Sequence, residues 1–139
     1  MYMDFEIELR NIQFANGEAD IDILYDFIDK LEKLPNRRDA IPSIFMFLEE
    51  NHDKELGSPG PLVHFLEESN DYQDELKLSI SRKPTALTVW MINRIINGVS
   101  GTERQNWLVN LQSVCNNENA DCTAKVSAKE FIEYHQGKI

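Results

Sequence analysis

One pair of side chains in this 139-residue chain has a spacing that could support chemistry. His64 and Glu67 are three residues apart, so on a helix they would lie on one face and could share a metal ion or a proton. The chain has only three histidines, and the His-Glu-x-x-His pattern of zinc proteases is absent. A surface histidine stabilised by an acidic neighbour is therefore the favoured interpretation of this pair.

A run of carboxylates between residues 67 and 75 is the second candidate for chemistry. Divalent cations bind converging oxygen ligands, and general acid–base catalysis needs two groups placed around one reacting atom. The spacing of these residues does not converge, and a solvated helix face explains them more simply. The run consists of Glu67, Glu68, Asp71, Asp74 and Glu75.

Nucleophilic and nucleotide chemistry have no recognisable motif here. Cys115 and Cys122 are seven residues apart, which fits neither a redox pair nor half of a zinc site, so we expect two reduced thiols, although a bridge across the loop is geometrically possible. The turn at residues 57–61 contains two prolines where a phosphate-binding loop needs free N–H groups. No Gly-x-Ser-x-Gly motif occurs. We therefore expect no catalytic activity, no metal and no cofactor.

The net charge of −10 is unevenly distributed. Residues 1–75 contain 19 acidic and 6 basic side chains, a net −13, whereas residues 76–139 contain 5 and 8, a net +3. Such acidity disfavours binding to nucleic acids and to anionic membranes, and it predicts a cationic partner. Amphipathic helices with solvated carboxylates are the simpler explanation of the same pattern.

Basic and aromatic residues interleave in one region of the chain, as they do in some nucleic-acid-binding proteins. The tryptophans of this region fall on apolar helix faces, so we predict that they belong to the core. For Arg94, on a mostly apolar helix, we predict a structural ion pair. The region contains Arg82, Lys83, Trp90, Arg94, Arg104 and Trp107.

The amino terminus and the hydropathy pattern predict a cytoplasmic protein. Residues 1–5 lack the basic start and apolar run of a secretory signal. The longest strongly apolar stretch, residues 86–96, is too short to span a bilayer.

Apolar residues recur at helical spacing through most of the chain, which predicts a single all-α domain over residues 1–139 with seven or eight short helices. Residues 1–12 fit a helix or a strand, and we choose the helix. Residues 21–34 give the clearest amphipathic pattern, and residues 71–81 a further short helix. Asn16-Gly17 is a turn, and no strand is expected after residue 12.

Capping residues and a faint repeat refine this architecture. We predict helix starts at Asp39, at Thr85, at Ser100 with Glu103, and at Ser127 with Glu130. Ser43, Thr85 and Ser127 are 42 residues apart, a period typical of HEAT-like repeats. Stacked HEAT-like α-hairpins and an irregular helical bundle both remain open.

The segments at residues 56–67, 82–85 and 88–97, with Tyr72, Leu76 and Ser79 between the first two, resemble bacterial immunity proteins encoded beside polymorphic toxins. The resemblance is to immunity proteins of contact-dependent growth inhibition and Rhs-type systems, and it covers about residues 50–100. It implies a cytoplasmic protein that binds the C-terminal domain of a cognate toxin, frequently a nuclease, and blocks its active site.

Charge and expected exposure, rather than the resemblance, select the candidate contact residues, because a nuclease surrounds its active site with cations. His64 and Tyr72 would be anchors among carboxylates, whereas residues 57–61 would shape the backbone. A HEAT-like cytoplasmic adaptor for a basic protein or peptide is the alternative function, and an enzyme using His64 and Glu67 is a third. The candidate toxin-binding residues are Asp22, Asp26, Glu49, Glu50, His64, Glu67, Glu68, Asp71, Tyr72, Asp74 and Glu75.

Overall fold

A computed structural model describes residues 4–57, 59–69 and 72–137. These ranges contain eight α-helices, one β-hairpin and one 3₁₀ turn, which confirms the all-α prediction. None of the described helices combines the length and apolarity that a bilayer crossing requires. The helices are α1 (Phe5–Arg10), α2 (Ile21–Glu32), α3 (Ile41–Glu50), α4 (Pro61–Glu68), α5 (Tyr72–Arg82), α6 (Ala86–Gly98), α7 (Gly101–Cys115) and α8 (Cys122–Gln136).

The chain divides into two compact units, Met1–Glu75 and Leu76–Ile139, which we call the N-terminal and C-terminal units. The boundary falls inside α5 and coincides with the change in charge, so the N-terminal unit has the net −13 and the C-terminal unit the net +3. The prediction of one domain over residues 1–139 stays a prediction.

Helix α1 settles the choice between helix and strand in favour of the helix within residues 4–12, whereas residues 1–3 lie outside the described residues. The Asp4 side chain accepts a hydrogen bond from the Ile7 N–H at 3.1 Å and caps the helix. The buried Leu9 faces inward, and α1 packs on α3 within the N-terminal unit.

A short β-hairpin follows α1, and the prediction of no strand after residue 12 is wrong. Strands β1 (Phe14–Ala15) and β2 (Glu18–Ala19) pair antiparallel. Asn16 and Gly17 both have positive φ, 54° and 78°, as the tight turn of a hairpin requires. Glu55 joins the hairpin from a distance, since its N–H donates to the Gly17 carbonyl and its own carbonyl accepts from Ala19.

Helix α2 begins where the hairpin ends. The Asp20 side chain caps it by accepting a hydrogen bond from the Asp22 N–H at 3.0 Å. Its apolar stripe is buried and packs against α4, which leaves the opposite side to solvent. The buried residues are Leu24, Phe27, Ile28 and Leu31.

Helix α3 starts differently from the prediction. A 3₁₀ turn at Arg37–Ala40 leads into it, and no side chain caps its first turn. The prediction of Asp39 as the N-cap is therefore wrong. Pro42 lies in the first turn, where its missing N–H would have no helical partner in any case. The Phe47 ring stacks on Phe14 of the hairpin, with ring centroids 6.3 Å apart.

Two glycines close the turn between α3 and α4. Gly57 and Gly60 have φ values of 110° and 91°, and a Cβ on Gly60 would collide with the Leu56 carbonyl oxygen. The Glu55 carboxylate accepts a hydrogen bond from the Gly57 N–H at 3.1 Å. Pro61 then occupies the start of α4, so this segment shapes the backbone as the sequence predicts.

We expect Gly60→Ala to lower the free energy of unfolding by about 3 kcal/mol, because the substitution adds both a steric clash and an unfavourable φ. Gly98→Ala is the matched control, since nothing lies within 4 Å of a Cβ built there. It should leave stability unchanged or raise it by up to about 1 kcal/mol. Urea denaturation followed by circular dichroism measures both, and equal effects would contradict this account of the turn.

The C-terminal unit contains the remainder of α5 and a mutually packed trio, α6, α7 and α8. Thr85 and Thr88 form the capping box of α6, which confirms Thr85 as its N-cap. Ser100 precedes α7 but makes no side-chain capping bond, so its predicted box with Glu103 is wrong. The buried His135 of α8 pairs with Asn93 of α6 through Nε2 and Oδ1, 2.6 Å apart.

Helix α8 begins six residues before its predicted start. Asp121 is its N-cap and accepts a hydrogen bond from the Ala124 N–H at 2.8 Å, so Ser127 lies inside the helix and not at its end. The three positions of the 42-residue repeat are therefore not equivalent. Ser43 and Ser127 lie inside helices, whereas Thr85 is an N-cap.

The asparagine-rich loop between α7 and α8 closes the end of α5. The Asn117 amide donates to the carbonyls of Ile80 and Ser81, at 3.2 and 3.3 Å. The Asn119 amide donates to the Arg82 carbonyl at 3.0 Å. These three carbonyls are helix-end acceptors that have no partner within the helix, so the loop satisfies them with side chains.

We expect Asn117→Ala to lower the free energy of unfolding by about 1–3 kcal/mol, since two carbonyls lose their donor. Asn116→Ala is the control, because Asn116 is exposed and its side chain makes no hydrogen bond to a described residue. Its effect should stay within about 0.5 kcal/mol. Thermal denaturation of the two variants tests this, and a neutral Asn117→Ala would contradict the role of the loop.

Candidate functional site

The exposed side of α2 is the most continuous group of carboxylates on any described helix. We define the α2 outer face as Ile21, Asp22, Tyr25, Asp26, Asp29 and Glu32, all of them exposed. Residues three and four apart on a helix are neighbours, about 5–6 Å between Cβ atoms, so these side chains form one stripe. Within the described residues, none of its four carboxylates forms an ion pair.

Tyr25 lies in the middle of this stripe and is not among the contact residues predicted from the sequence. Its side chain is 51% exposed, whereas Tyr72, the predicted anchor, is buried at 9%. Tyr72 is therefore a core residue, and the proposal of it as a contact anchor is corrected. The signal that could have found Tyr25 is its position three residues after Asp22 and four before Asp29, opposite the apolar stripe.

The candidate carboxylates outside α2 are distributed over other elements. Glu49 and Glu50 end α3, and Glu50 borders a shallow hollow that Glu6, Arg10 and Met46 also line. Glu49 is half-buried and makes an interaction of its own. The structure therefore does not unite these two glutamates with the α2 outer face.

Helix α4 carries His64, Glu67 and Glu68. His64 and Glu68 are exposed, whereas Glu67 is half-buried and makes an interaction of its own. Among the described residues, no three His, Cys, Asp or Glu side chains are grouped to hold a metal ion. His64 and Glu67 thus lack the further ligands that a metal site would need.

A polar hollow of about 340 Å³ lies between the C-terminal ends of α2 and α4. Glu32 and Glu68 line it together with Arg37 and Arg38 of the 3₁₀ turn, over the buried Phe65. Both arginines are exposed, and neither forms an ion pair within the described ranges. This end of the acidic unit therefore presents positive charge as well as negative.

The last candidates lie at or before the start of α5. Asp74 is exposed and Glu75 half-buried, and both lie in the first turn, where the helix dipole favours carboxylates. A structural role therefore accounts for them. Asp71 lies outside the described residues.

The two tryptophans of the C-terminal unit each contact a cation of the same unit. The Lys77 ammonium lies 5.0 Å from the ring centroid of Trp107, which is buried, and the Arg94 guanidinium lies 4.9 Å from that of Trp90, which is half-buried. Cation–π attraction stabilises both arrangements. The core prediction is confirmed fully for Trp107 and in part for Trp90.

Two further cations of this region are also used within the unit. Lys83 donates to the Asn119 carbonyl at 3.0 Å, and Arg104 donates to the His135 carbonyl at 3.3 Å. Arg82 makes an interaction as well. Contacts within the unit thus account for Lys83, Arg94, Arg104 and the two tryptophans of the interleaved pattern.

The two cysteines and Asp53 are the remaining reactive groups considered among the described residues. Cys115 is half-buried, Cys122 is exposed, and both are free thiols. The Lys54 ammonium donates a hydrogen bond to Asp53 at 3.0 Å, which lowers the pKa of that exposed carboxyl below 3.8.

The contrast between the two tyrosines can be measured. We expect Tyr72→Ala to lower the free energy of unfolding by about 3 kcal/mol, because it removes a buried aromatic ring. Tyr25→Ala should change it by no more than about 0.5 kcal/mol, since an exposed helix position tolerates alanine. Equal losses in chemical denaturation would contradict the assignment of Tyr72 to the core.

In comparisons with known proteins, no family model matches this chain, and neither a curated protein nor a solved structure gives a significant match.

Proposed function

We propose that the protein is a cytoplasmic immunity protein that binds the C-terminal domain of a cognate toxin, a nuclease, and covers its basic active site. The proposal combines the resemblance at residues 50–100 with the charge of the N-terminal unit. The observation that carries it is the α2 outer face, where four exposed carboxylates follow one another without an intramolecular ion pair among the described residues.

Electrostatics explains how such a protein would inhibit a nuclease. An enzyme that binds a phosphate backbone presents Lys, Arg or His⁺ around its active site, and carboxylates held on a helix form charge-assisted hydrogen bonds with those groups. The net −13 of the N-terminal unit would also steer a cationic toxin into encounter. Inhibition then requires no catalytic group, metal or cofactor in the immunity protein.

The alternative function, a HEAT-like adaptor, depended on the 42-residue repeat. Its three positions occupy different places in their helices, so the described structure offers no observation in favour of that repeat. The enzyme alternative depended on His64 and Glu67, which have no third ligand grouped with them among the described residues. We therefore retain the immunity function as the proposal.

Co-expression with the toxin domain encoded beside this gene tests the proposal. Growth should be restored, the two proteins should copurify, and the toxin's nuclease activity should be lost in the complex. A toxin domain from an unrelated neighbourhood is the control and should not be neutralised. Failure to bind and to rescue against every neighbouring toxin would refute the proposal.

The association rate provides a second measurement. We expect the rate constant to reach about 10⁸ M⁻¹s⁻¹ at low salt and to fall steeply as ionic strength rises, because the attraction between exposed charges is screened. Stopped-flow fluorescence between about 20 and 500 mM salt measures this. A rate constant independent of salt would contradict electrostatic steering by the acidic unit.

A further inference from the structure

We infer that the α2 outer face is the contact surface for the partner, and that Tyr25 stacks on an arginine of a basic protein surface while Asp22 and Asp29 pair with its guanidinium. This inference rests on the proposed function and names the surface through which it would act. It commits to a cationic protein partner, and the following observations support that choice.

The first observation is the exposure of apolar surface inside a charged stripe. Tyr25 is 51% exposed and Ile21 is 36% exposed, although the same helix buries four other apolar side chains. Tyrosine supplies a large, rigid contact area and is enriched among the residues that dominate binding energy at interfaces. Its exposure on α2 leaves that area available for contact.

The second observation is the arrangement of charge around the ring. Asp22 precedes Tyr25 by three residues and Asp29 follows it by four, so carboxylates lie on both sides of the ring along the helix. A planar guanidinium can stack on an aromatic ring and donate hydrogen bonds to carboxylates in the same plane, which an ammonium cannot do as well. The chemistry therefore favours arginine over lysine as the group received.

The helix also has cations of its own, and they limit where the partner can lie. Lys30 and Lys33 are exposed four residues after Asp26 and Asp29, and no ion pair joins them within the described residues. Arg37 and Arg38 border the hollow beyond the last turn. Like charges repel, so a cationic partner should contact α2 over residues 21–29 and not at its C-terminal end.

Purified full-length protein and the neighbouring toxin domain test the contact surface by titration calorimetry and stopped-flow kinetics. Tyr25→Ala should weaken binding by about 30-fold or more, mainly through faster dissociation, whereas Tyr25→Phe should retain most of the affinity. The matched control is Tyr134→Ala, because Tyr134 is similarly exposed, at 54%, on α8. It should bind like the unsubstituted protein.

A pair of charge variants separates the carboxylates from the ring. Asp22→Asn with Asp29→Asn should lower the association rate constant roughly three- to tenfold at low salt and reduce its dependence on salt. Glu130→Gln with Glu133→Gln removes the same charge from exposed positions of α8. That control should change the rate much less, and equal effects of the two pairs would overturn the assignment to α2.

A probe that does not depend on the toxin keeps the two proposals distinguishable. A synthetic peptide of alternating arginine and glycine, eight residues long, is titrated into isotope-labelled full-length protein and followed by NMR. Amide shifts centred on residues 21–29 are expected, and shifts centred elsewhere would overturn the inference. If the peptide maps to α2 but no neighbouring toxin binds, the immunity function fails while the basic-partner surface stands.

Discussion

The close approach of the backbone at Gly57 and Gly60 is the constraint on which the N-terminal unit depends. No side chain beyond hydrogen fits at either position, and only because the chain turns so tightly can Glu55 pair with the hairpin on one side while α4 begins on the other. Helix α4 is in turn the support against which α2 packs. The two glycines therefore shape the turn that leads into the helix on which α2 packs.

Helix α2 serves two opposed physical demands with one periodicity. One side buries apolar residues, which stabilises the unit, and the other accumulates carboxylates whose mutual repulsion opposes the compact state. A cationic partner would relieve that repulsion. The charges that lower the stability of the free protein would then raise the stability of the complex. In the C-terminal unit, by contrast, the polar side chains of the asparagine-rich loop form hydrogen bonds within the unit, to carbonyls at the end of α5.

Helical periodicity made most of the fold predictable, and local signals failed where longer-range contacts decided the outcome. Each strand of the hairpin has only two residues, which is too short to show an alternation of apolar and polar residues in the sequence. Glu55, which also forms hydrogen bonds with the hairpin, is far along the chain. Asn16-Gly17 was the available signal for a hairpin turn. At α8, Ser127 and Glu130 have the spacing of a capping box, but Asp121 caps the helix six residues earlier. Ser127 therefore lies inside the helix.

The same reasoning explains which part of the site was predictable. The acidic part of the chain could be located from the sequence, because charges can be counted without any knowledge of packing. The position at which the charge changes matches the boundary between the two structural units. Choosing an exposed aromatic residue required knowing which side of a helix is buried, since Tyr72 is buried in α5 whereas Tyr25 is exposed on α2. Charge acts over a Debye length and sets how often partners meet, whereas an exposed ring acts only in contact and sets how long they stay. A surface that combines the two, as α2 does around Tyr25, is suited to a partner that must be captured quickly and held.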